Sequence, residues 1–298
     1  MFDVTIIGAG PAGVSAALYA RRANLSVLIL HNGAGALEKA HRIENYYGFP
    51  NGISGLELYE NGIKQAENLE ITVQKAEVTH IEMNADFAFT LKTEEQKIQT
   101  KSVVIATGNK KLRPAIKGLA DLEGKGVSYC AICDAFFYRK KDVVVIGDGN
   151  FAVSEAQDLL NVASSLKILT DGKDSTYVKS LSNGKYEVID KKIIEIQENP
   201  QTNKVDAVIF EDKSQLKVDG VFVALGEAGA ANFAKKLGLF LNGDSIKVNE
   251  KMETNIPGIF SCGNSTGGLL QISKAVYEGT LAGLSAIEYI RKKAKEAK

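Results

Sequence analysis

Two cysteines stand three positions apart in the segment YCAICDAFF, and an aspartate follows them directly. Thiols at this spacing, Cys130 and Cys133, are typical of a redox dithiol, because one thiol attacks a partner disulfide and the other resolves the mixed disulfide. Asp134 is placed to exchange protons with a thiolate, although aspartate is also common at the start of a helix. The segment predicts thiol–disulfide chemistry, with Cys130, Cys133 and Asp134 as the catalytic residues.

A structural zinc site is the competing interpretation of a Cys-x-x-Cys pair. Such a site needs a second pair of ligands, and the sequence offers Cys262 alone and three scattered histidines, at positions 31, 41 and 80. No metal site is therefore expected. Cys262 is expected instead to be a small buried hydrophobic residue.

A glycine-rich turn, GAGPAG, lies near the N-terminus between a predicted strand and a predicted helix. In this pattern Gly8 permits a tight turn, Gly10 lets the backbone approach a pyrophosphate, and Gly13 allows the helix to pack closely on the strand. The start of the helix, at Pro11 and Ala12, offers N–H groups and partial positive charge to phosphates. The turn predicts a bound dinucleotide, with these five residues as contacts.

The residue expected to hold the ribose differs from the usual pattern. An acidic side chain commonly ends the second strand of such a unit, whereas this chain has His31 followed by Asn32. Imidazole and amide groups hydrogen-bond hydroxyl groups, so both residues are candidate ribose contacts. The alternative, a solvent-exposed histidine in a loop, remains open.

A second glycine-rich turn, GDGNFA, begins at Gly147. The strand after it leads into Thr170, Asp171 and Gly172, with Thr176 beyond, where a site for NADPH presents arginines to the 2′-phosphate. None of these four residues is basic. A carboxylate at Asp171 repels a dianionic phosphate but suits the free 2′-hydroxyl of NADH. Loss of nucleotide binding is the preferred interpretation, and NADH binding through Asp171 is the alternative.

Each glycine turn belongs to a repeated strand–helix–strand pattern, which indicates two nucleotide-type folds in one chain. Alternating strand patterns and a closing strand follow each unit. The residues after Gly226 do not begin a third copy and end in a long amphipathic helix. The predicted elements are strands Val4–Ile7, Leu25–Leu30, Val143–Ile146 and Leu166–Leu169, and helices Pro11–Arg22, Asn150–Asn161 and Leu270–Lys293.

The predicted fold class is α/β, with two Rossmann-like three-layer nucleotide-binding domains, the second inserted into the first. The first domain is expected at residues 1–114 and 228–298. The inserted domain, which carries the dithiol, is expected at residues 115–227, with connections near Arg113, Pro114 and Glu227.

Composition places the chain among ordinary globular proteins. Of its 298 residues, 45% are hydrophobic and 24% charged, and this length suffices for two buried cores. Lysine plus arginine and aspartate plus glutamate both number 36, so bulk charge favours neither nucleic acid nor an acidic membrane as a partner. Since no apolar run is long enough to span a bilayer and no secretory signal pattern precedes the first strand, a cytoplasmic location is expected.

Several motifs together resemble those of the low-molecular-weight thioredoxin reductases. The segments GAGPAG, RIENYYGFP, SVVIATG, CAICD, GDGNFAVSEA and GIFSCGNSTGG occur in the order and spacing of that family, and the likeness covers essentially the whole chain. The resemblance implies FAD as the cofactor of the first domain, thioredoxin as the disulfide substrate, and a homodimer. It also implies that Cys133 faces the flavin, that Cys130 attacks thioredoxin, and that Asp134 serves as acid and base.

The same resemblance implies further contacts with FAD. Asn264 stands where the family has aspartate, so that contact becomes neutral. The implied contacts are Asn45 at the isoalloxazine ring, Gly263, Asn264, Gln271 and Ile272 at the ribityl chain and ring, and Ala106, Thr107 and Gly108 from the motif SVVIATG.

Departures from the family favour ferredoxin as the electron donor. The cationic positions of the family's NADPH motif align with Thr170, Asp171, Gly172 and Thr176, and this pattern is similar to that of the ferredoxin-dependent flavin thioredoxin reductases known from clostridia. Transfer of two electrons from a plant-type ferredoxin near about −400 mV to thioredoxin near about −270 mV releases about 6 kcal/mol. Two alternatives stay open: an NADH- or NADPH-dependent thioredoxin or disulfide reductase of the same fold, and a flavin-binding redox sensor.

Ferredoxins are acidic, so a docking surface for ferredoxin is expected to be basic. The candidate runs are NKKLR at 109–113, RKK at 139–141 and RKKAKEAK at the C-terminus.

Overall fold

The chain divides into two compact units in the computed structural model. One unit comprises Met1–Lys110 and Gly229–Lys298, and the other Lys111–Ala228. The structure describes residues 1–84, 88–108, 114–225, 230–243 and 245–296, without the side chains of Lys39, Ile132, Cys133 and Ala231. Of the predicted connections, Arg113 and Glu227 lie outside the described residues, and the domain boundaries stay predictions.

The strands and helices are numbered in chain order. The first unit begins with β1 (Val4–Ile7), α1 (Pro11–Arg22), β2 (Val27–His31), α2 (Gly55–Asn68), β3 (Thr72–Lys75), β4 (His80–Met83), β5 (Phe89–Lys92), β6 (Lys97–Thr100) and β7 (Val103–Ile105). The second unit contains β8 (Val127–Ser128), α3 (Ala131–Asp134), β9 (Asp142–Ile146), α4 (Asn150–Leu159), β10 (Ser165–Leu169), α5 (Thr176–Ser182), β11 (Glu187–Ile189), β12 (Ile193–Asn199), β13 (Lys204–Phe210), β14 (Gln215–Lys217) and β15 (Gly220–Val223). The first unit ends with α6 (Ala230–Leu237), β16 (Leu241–Asn242), β17 (Ser245–Ile246), β18 (Ile259–Ser261) and α7 (Ile272–Glu296).

The first unit contains a five-stranded parallel sheet with the strand order β18-β7-β1-β2-β3. Its central strands are fully buried apolar runs, as expected for a parallel sheet covered on both faces. Strand β18 pairs in parallel with β7, so the segment after residue 229 returns to this sheet. Strands β4, β5 and β6 form a separate antiparallel sheet of the same unit.

The second unit repeats this plan. Its five-stranded parallel sheet has the order β11-β10-β9-β15-β8, and β12, β13 and β14 form an antiparallel sheet. The predicted duplication and the α/β fold class with two Rossmann-like units are therefore confirmed. Among the helices that the structure describes, none is long and apolar enough to cross a lipid bilayer.

Helices α1 and α7 of the first unit approach each other through small residues. A Cβ atom added at Gly279 would stand 2.1 Å from the carbonyl oxygen of Ala12, and one at Gly283 would stand 2.6 Å from that of Ala16. Only glycine leaves room for this backbone contact. The contact holds the N-terminal half of α7 against the start of α1, where the first glycine turn lies.

Candidate active site

The first glycine turn follows β1 and opens α1. Gly8 has a φ of +113°, and a Cβ atom there would stand 2.3 Å from the carbonyl oxygen of Ala106; a Cβ atom at Gly13 would stand 1.8 Å from the carbonyl oxygen of Gly8. At Gly10, by contrast, no heavy atom of the described residues beyond its own chain neighbours and helix backbone lies within 4 Å of the Cβ position. Among the described residues, no side chain caps α1. The turn thus leaves its N–H groups and the space in front of Gly10 available to a phosphate, as the cofactor pattern requires.

The carboxyl ends of three neighbouring strands bring the predicted contacts to this turn. Ala106, Thr107 and Gly108 follow β7, and Gly263 follows β18 at a φ of +74°. A Cβ atom at Gly263 would stand 2.8 Å from the Cβ of Ala12. The two loops are joined because the Gly108 N–H donates to Ser265 Oγ over 3.1 Å. Gly8, Ala12, Ala106, Gly108 and Gly263 therefore lie at one edge of the sheet.

A partly buried ion pair supports the loop that contains Gly263 and Asn264. Lys274 and Glu278, one turn apart on α7, lie 2.9 Å from each other with side chains 16% and 13% exposed. Lys274 Nζ donates to the Gly263 carbonyl over 2.8 Å, and Glu278 Oε2 accepts from the Gly263 N–H over 2.8 Å. The pair holds both backbone polar groups of Gly263. Beneath this loop Cys262 is a fully buried free thiol, and burial raises its pKa strongly.

His31 ends β2 with its ring half-buried. The Gly33 N–H donates to His31 Nδ1 over 3.3 Å, so Nδ1 is unprotonated and the neutral ring carries its proton on Nε2. The Tyr59 hydroxyl lies 2.8 Å from the same Nδ1. Burial and the neighbouring charge of Lys75 lower the pKa of His31. The alternative of a solvent-exposed loop histidine is wrong, because His31 ends β2 and contacts Tyr59, while Asn32 lies exposed in the turn that follows.

Glu38 supplies a carboxylate near the end of β2, where the dinucleotide-binding pattern places an acidic residue and this chain has His31. A Cβ atom at Gly33 would stand 3.1 Å from Glu38 Oε1, and burial, then the charge of Glu38, raise the pKa of Tyr59. Glu38 lies in the short 3-10 helix Gly35–Lys39. Sequence reasoning missed Glu38 and Tyr59 because neither stands at the position where the pattern places an acid.

Asn45 and Gln271 meet in the folded chain although 226 residues separate them. The Asn45 Nδ2 group donates to Gln271 Oε1 over 3.0 Å. Ile272, the next residue, lines a cavity of 380 Å³ together with Gly10, Pro11, Tyr46 and other residues of α1 and α2. Together with the edge at Gly8 and Gly263, these contacts fit a long dinucleotide that reaches from the glycine turn to the start of α7.

The dithiol segment lies in the second unit. Cys130 occupies the N-cap of the short helix α3 with its side chain 2% exposed, and Cys133 lies within α3, although its side chain is outside the described residues. Asp134 ends α3 and its Oδ2 accepts from Ser128 Oγ over 2.6 Å. Ser128 Oγ also accepts from the Cys130 N–H over 3.1 Å. The serine thus links the backbone of Cys130 to the carboxylate of Asp134.

Two aromatic side chains follow the dithiol and stand in solvent within this unit. Phe136 is 76% exposed and Phe137 67%, and their rings lie edge to face at 6.1 Å. Tyr138, by contrast, packs on Phe222 at 5.1 Å. A large exposed apolar pair beside a reactive segment is typical of a surface that binds another protein.

Carboxylates occupy the second glycine turn and the strand ends beside it. Lys173 Nζ lies 2.9 Å from Asp148 Oδ2 after β9, Lys192 Nζ lies 2.9 Å from Asp171 Oδ2 after β10, and Lys179 Nζ lies 3.1 Å from Asp190 Oδ2 after β11. The Tyr177 hydroxyl donates to Asn150 Oδ1 at the first residue of α4. Each of these three lysines therefore pairs with a carboxylate, and Tyr177 holds the side chain of Asn150. Among the described residues, no side chain caps the first N–H groups of α4.

Asp171 does not have the role that the sequence suggested. Its side chain is 9% exposed, and Oδ1 accepts from the Ile193 N–H over 2.9 Å while Oδ2 pairs with Lys192. The residue has a φ of +57°, which aspartate tolerates better than most residues. Its carboxylate joins β10 to β12, and both of its oxygens are engaged by groups of this unit.

Comparisons with known proteins identify what this arrangement is similar to. The family model for pyridine nucleotide-disulphide oxidoreductases matches residues 2–279. Thioredoxin reductase from Bacillus subtilis is 32% identical over 97% of this chain and 95% of its own. The atypical thioredoxin reductase TRi from Desulfovibrio vulgaris Hildenborough is 38% identical with a TM-score of 0.91, over 98% of this chain and 99% of its own. A ferredoxin-flavin thioredoxin reductase from Clostridium acetobutylicum is 32% identical with a TM-score of 0.72, over 98% of both chains.

Proposed function

We propose that this chain, which belongs to the pyridine nucleotide-disulphide oxidoreductase family and is a flavin disulfide oxidoreductase of the thioredoxin reductase type, reduces thioredoxin with electrons from ferredoxin rather than NADPH. Members of the family bind FAD, and the cofactor here is FAD.

The neutralised second glycine turn carries this proposal. A 2′-phosphate is held by cations that are free to pair with it, and here Lys173, Lys179 and Lys192 already pair with Asp148, Asp190 and Asp171. To bind NADPH, the site would have to break these pairs and leave carboxylates beside a dianion. NADH has no 2′-phosphate, but the carboxylate suited to its ribose is engaged by Ile193 and Lys192.

The comparison with the clostridial ferredoxin-flavin enzyme supports ferredoxin as the donor in place of a pyridine nucleotide. The energetics agree, since transfer from a low-potential ferredoxin to thioredoxin is downhill by about 6 kcal/mol for two electrons. FAD, when bound, supplies the exchange between a one-electron donor and a two-electron disulfide couple.

The residues of the first unit would hold FAD in three groups. The N–H groups at the start of α1 and the open space at Gly10 would receive the pyrophosphate. His31 Nε2–H would donate to the ribose, since Nδ1 is engaged by Gly33, and Glu38 would accept from it. The flavin end would lie at Asn45, Gln271 and Ile272, with Ala106, Thr107, Gly108, Gly263 and Asn264 between the two ends.

The dithiol segment would carry out thiol–disulfide exchange with thioredoxin. Cys130 is 2% exposed, so the dithiol segment would first rearrange to expose it. The Cys130 thiolate would then attack one sulfur of the thioredoxin disulfide, forming a mixed disulfide and releasing the other sulfur as a thiolate. Cys133 would then attack Cys130, releasing the second thioredoxin thiolate and leaving a Cys130–Cys133 disulfide that carries the two oxidising equivalents. Asp134, held by Ser128, would donate a proton to a departing thiolate.

Thioredoxin would dock on the exposed aromatic pair. Phe136 and Phe137 follow Asp134 closely in sequence and present apolar area that water solvates poorly. The basic run Arg139–Lys141 continues this surface, with Lys141 Nζ 5.6 Å from the centre of the Tyr138 ring. We assign this surface to thioredoxin, including the run at 139–141 that the sequence offered as a candidate dock for ferredoxin.

The ferredoxin surface belongs near the flavin end of the first unit. Helix α7 has 25 residues, so its basic C-terminal end lies about 36 Å from Ile272 at 1.5 Å per residue. That distance is too long for electron transfer from a cluster docked on the C-terminal run. The run at 109–113 lies outside the described residues and remains the predicted dock.

Anaerobic mixing tests the electron donor. The oxidised, FAD-loaded protein is mixed with NADPH, with NADH, or with chemically reduced ferredoxin, while flavin absorbance is followed. We expect rapid bleaching with ferredoxin and none with either nucleotide at millimolar concentration. Rapid bleaching by NADPH or NADH would contradict the proposal.

Sustained reduction of thioredoxin by catalytic amounts of the protein tests turnover, and a single stoichiometric event would instead indicate a redox sensor.

Replacement of Cys133 by serine should leave FAD bound and abolish thioredoxin reduction. A homodimer and a cytoplasmic location are also part of the proposal, and light scattering on the FAD-loaded protein measures the first.

A further inference from the structure

We propose that Glu155 is a positioning residue for the dithiol and keeps the Cys130–Cys133 couple strongly reducing. The inference rests on the proposed redox role of these two cysteines. The observation that supports the inference is a hydrogen bond within the second unit, in which the Ala131 N–H donates to Glu155 Oε2 over 2.5 Å.

This hydrogen bond satisfies the first backbone N–H of the dithiol helix. Cys130 stands at the N-cap of α3, where serine or aspartate would normally accept such a bond, and it makes no side-chain cap bond. Glu155, 24 residues away on α4, supplies the acceptor instead. Ala131 is 0% exposed and Glu155 1%, so water cannot replace the carboxylate. Glu155 therefore holds the first N–H within the dithiol helix, next to the N-cap N–H of Cys130 that Ser128 holds.

The charge of Glu155 bears on the redox couple. Asp134, which Ser128 links to the Cys130 N–H, is the second carboxylate at the dithiol helix, and it is the same in every variant compared below. A carboxylate beside the first residue of α3 disfavours a second negative charge nearby, and the thiolate form of the dithiol is such a charge. When the thiolate is not stabilised, reduction of the disulfide to the dithiol is less favourable. The couple is then a stronger reductant. A reducing couple suits a protein that must pass electrons on to thioredoxin.

The helix that follows the second glycine turn, α4, takes part in the same contact. Glu155 lies on α4, the helix that this turn opens, and Asn150 at the start of α4 is engaged by Tyr177. In a nucleotide-binding unit this helix start holds a pyrophosphate. Here α4 also supplies, through Glu155, the group that fixes the dithiol helix.

The test compares Glu155→Gln with the wild type in dithiothreitol redox buffers at pH 6.5 and pH 8.5, with the disulfide fraction measured by alkylation and mass spectrometry. Glutamine keeps the size and an acceptor oxygen but removes the charge. We expect little change at pH 6.5 and a three- to tenfold lower disulfide-to-dithiol ratio at pH 8.5, about 15 to 30 mV toward a more oxidising couple. The shift should grow with pH because only the thiolate senses the lost charge.

Two further variants make the result specific. Glu155→Asp keeps the charge and should retain the wild-type ratio at pH 8.5, and Glu198→Gln, an exposed glutamate on β12 of the same unit, should also match the wild type. If Glu155→Gln does not fold, Glu155→Ala replaces it, with the same pH-dependent shift expected.

Equal ratios in Glu155→Gln and the wild type at both pH values, or a shift of the same size at both, would overturn the inference and leave the proposed function standing. Failure of the wild-type cysteines to form a disulfide in any buffer would overturn the proposed function itself.

Discussion

The side-chain amide of Asn45 donates a hydrogen bond to the side-chain amide of Gln271 over 3.0 Å. The two residues come from opposite ends of the first unit, one from the loop before α2 and the other from the residue that precedes α7. Their contact places the RIENYYGFP and LLQIS segments side by side. It thereby joins two of the proposed flavin contacts before any ligand is considered.

Replacement of Gln271 by alanine should lower the affinity of the apoprotein for FAD by about two- to tenfold, because one hydrogen bond contributes about 0.5–1.5 kcal/mol. Quenching of flavin fluorescence measures the affinity. The control is Gln96→Ala, which removes a similar exposed amide pair, Gln96 Nε2 to Gln74 Oε1 at 3.1 Å, that includes none of the proposed FAD contacts. Equal losses in both variants would show that the Asn45–Gln271 contact does not serve the cofactor.

Two glycines of the first turn should respond differently to alanine. At Gly10 the added methyl group meets no protein atom within 4 Å, so Gly10→Ala should fold normally and bind FAD at least tenfold more weakly. At Gly13 the methyl group would stand 1.8 Å from the Gly8 carbonyl oxygen, so Gly13→Ala should lose folded protein. Thermal unfolding of the apoproteins and FAD titration give the two readouts. Normal FAD binding by Gly10→Ala would place the pyrophosphate elsewhere.

Asp171 is expected to stabilise the fold of the second unit rather than bind a nucleotide. Asp171→Ala should lower the free energy of unfolding by about 1–3 kcal/mol, because it leaves the buried Ile193 N–H without an acceptor and puts alanine at a positive φ. Asp171→Asn keeps an acceptor oxygen and tolerates that φ, so its cost should be less than half as large. Urea unfolding measures both. An Asp171→Ala variant as stable as the wild type would restore the residue as a candidate nucleotide contact.

His31 should make stability depend on pH. Its pKa is lowered in the folded chain, so the unfolded chain binds more protons between that lowered pKa and the ordinary value of about 6.5. Stability should therefore fall as the pH drops through this window, and His31→Asn, whose amide oxygen can replace Nδ1 as an acceptor, should remove that part of the pH dependence. Melting temperatures of the apoproteins from pH 5 to pH 7.5 measure the difference. Parallel profiles for the two proteins would be inconsistent with a neutral, engaged imidazole.

Much of the architecture follows from local sequence patterns. Strand β1 and the bounds of α1 match the predicted Val4–Ile7 and Pro11–Arg22, since continuous apolar runs, glycine turns and a proline at the first helical position are local signals. The end of α7 and the limits of β2 and α4 shift by one to three residues, because fraying and packing decide the last turn or strand pair.

The side-chain partners could not be predicted in this way. Three features depend on contacts between residues about 20 or more positions apart, or on turns outside the pattern. They are the groups that surround Asp171, the residue that replaces the acid after β2, and the carboxylate that caps the dithiol helix. The sequence by itself determined the repeated α/β units, the glycine turns and the dithiol spacing, because each depends on residues that are close together in the chain. Only the tertiary structure decided that the lysines near the second turn are neutralised and that Glu155 reaches Ala131, because the free energy of a charge depends on the partners that folding brings within a few ångströms.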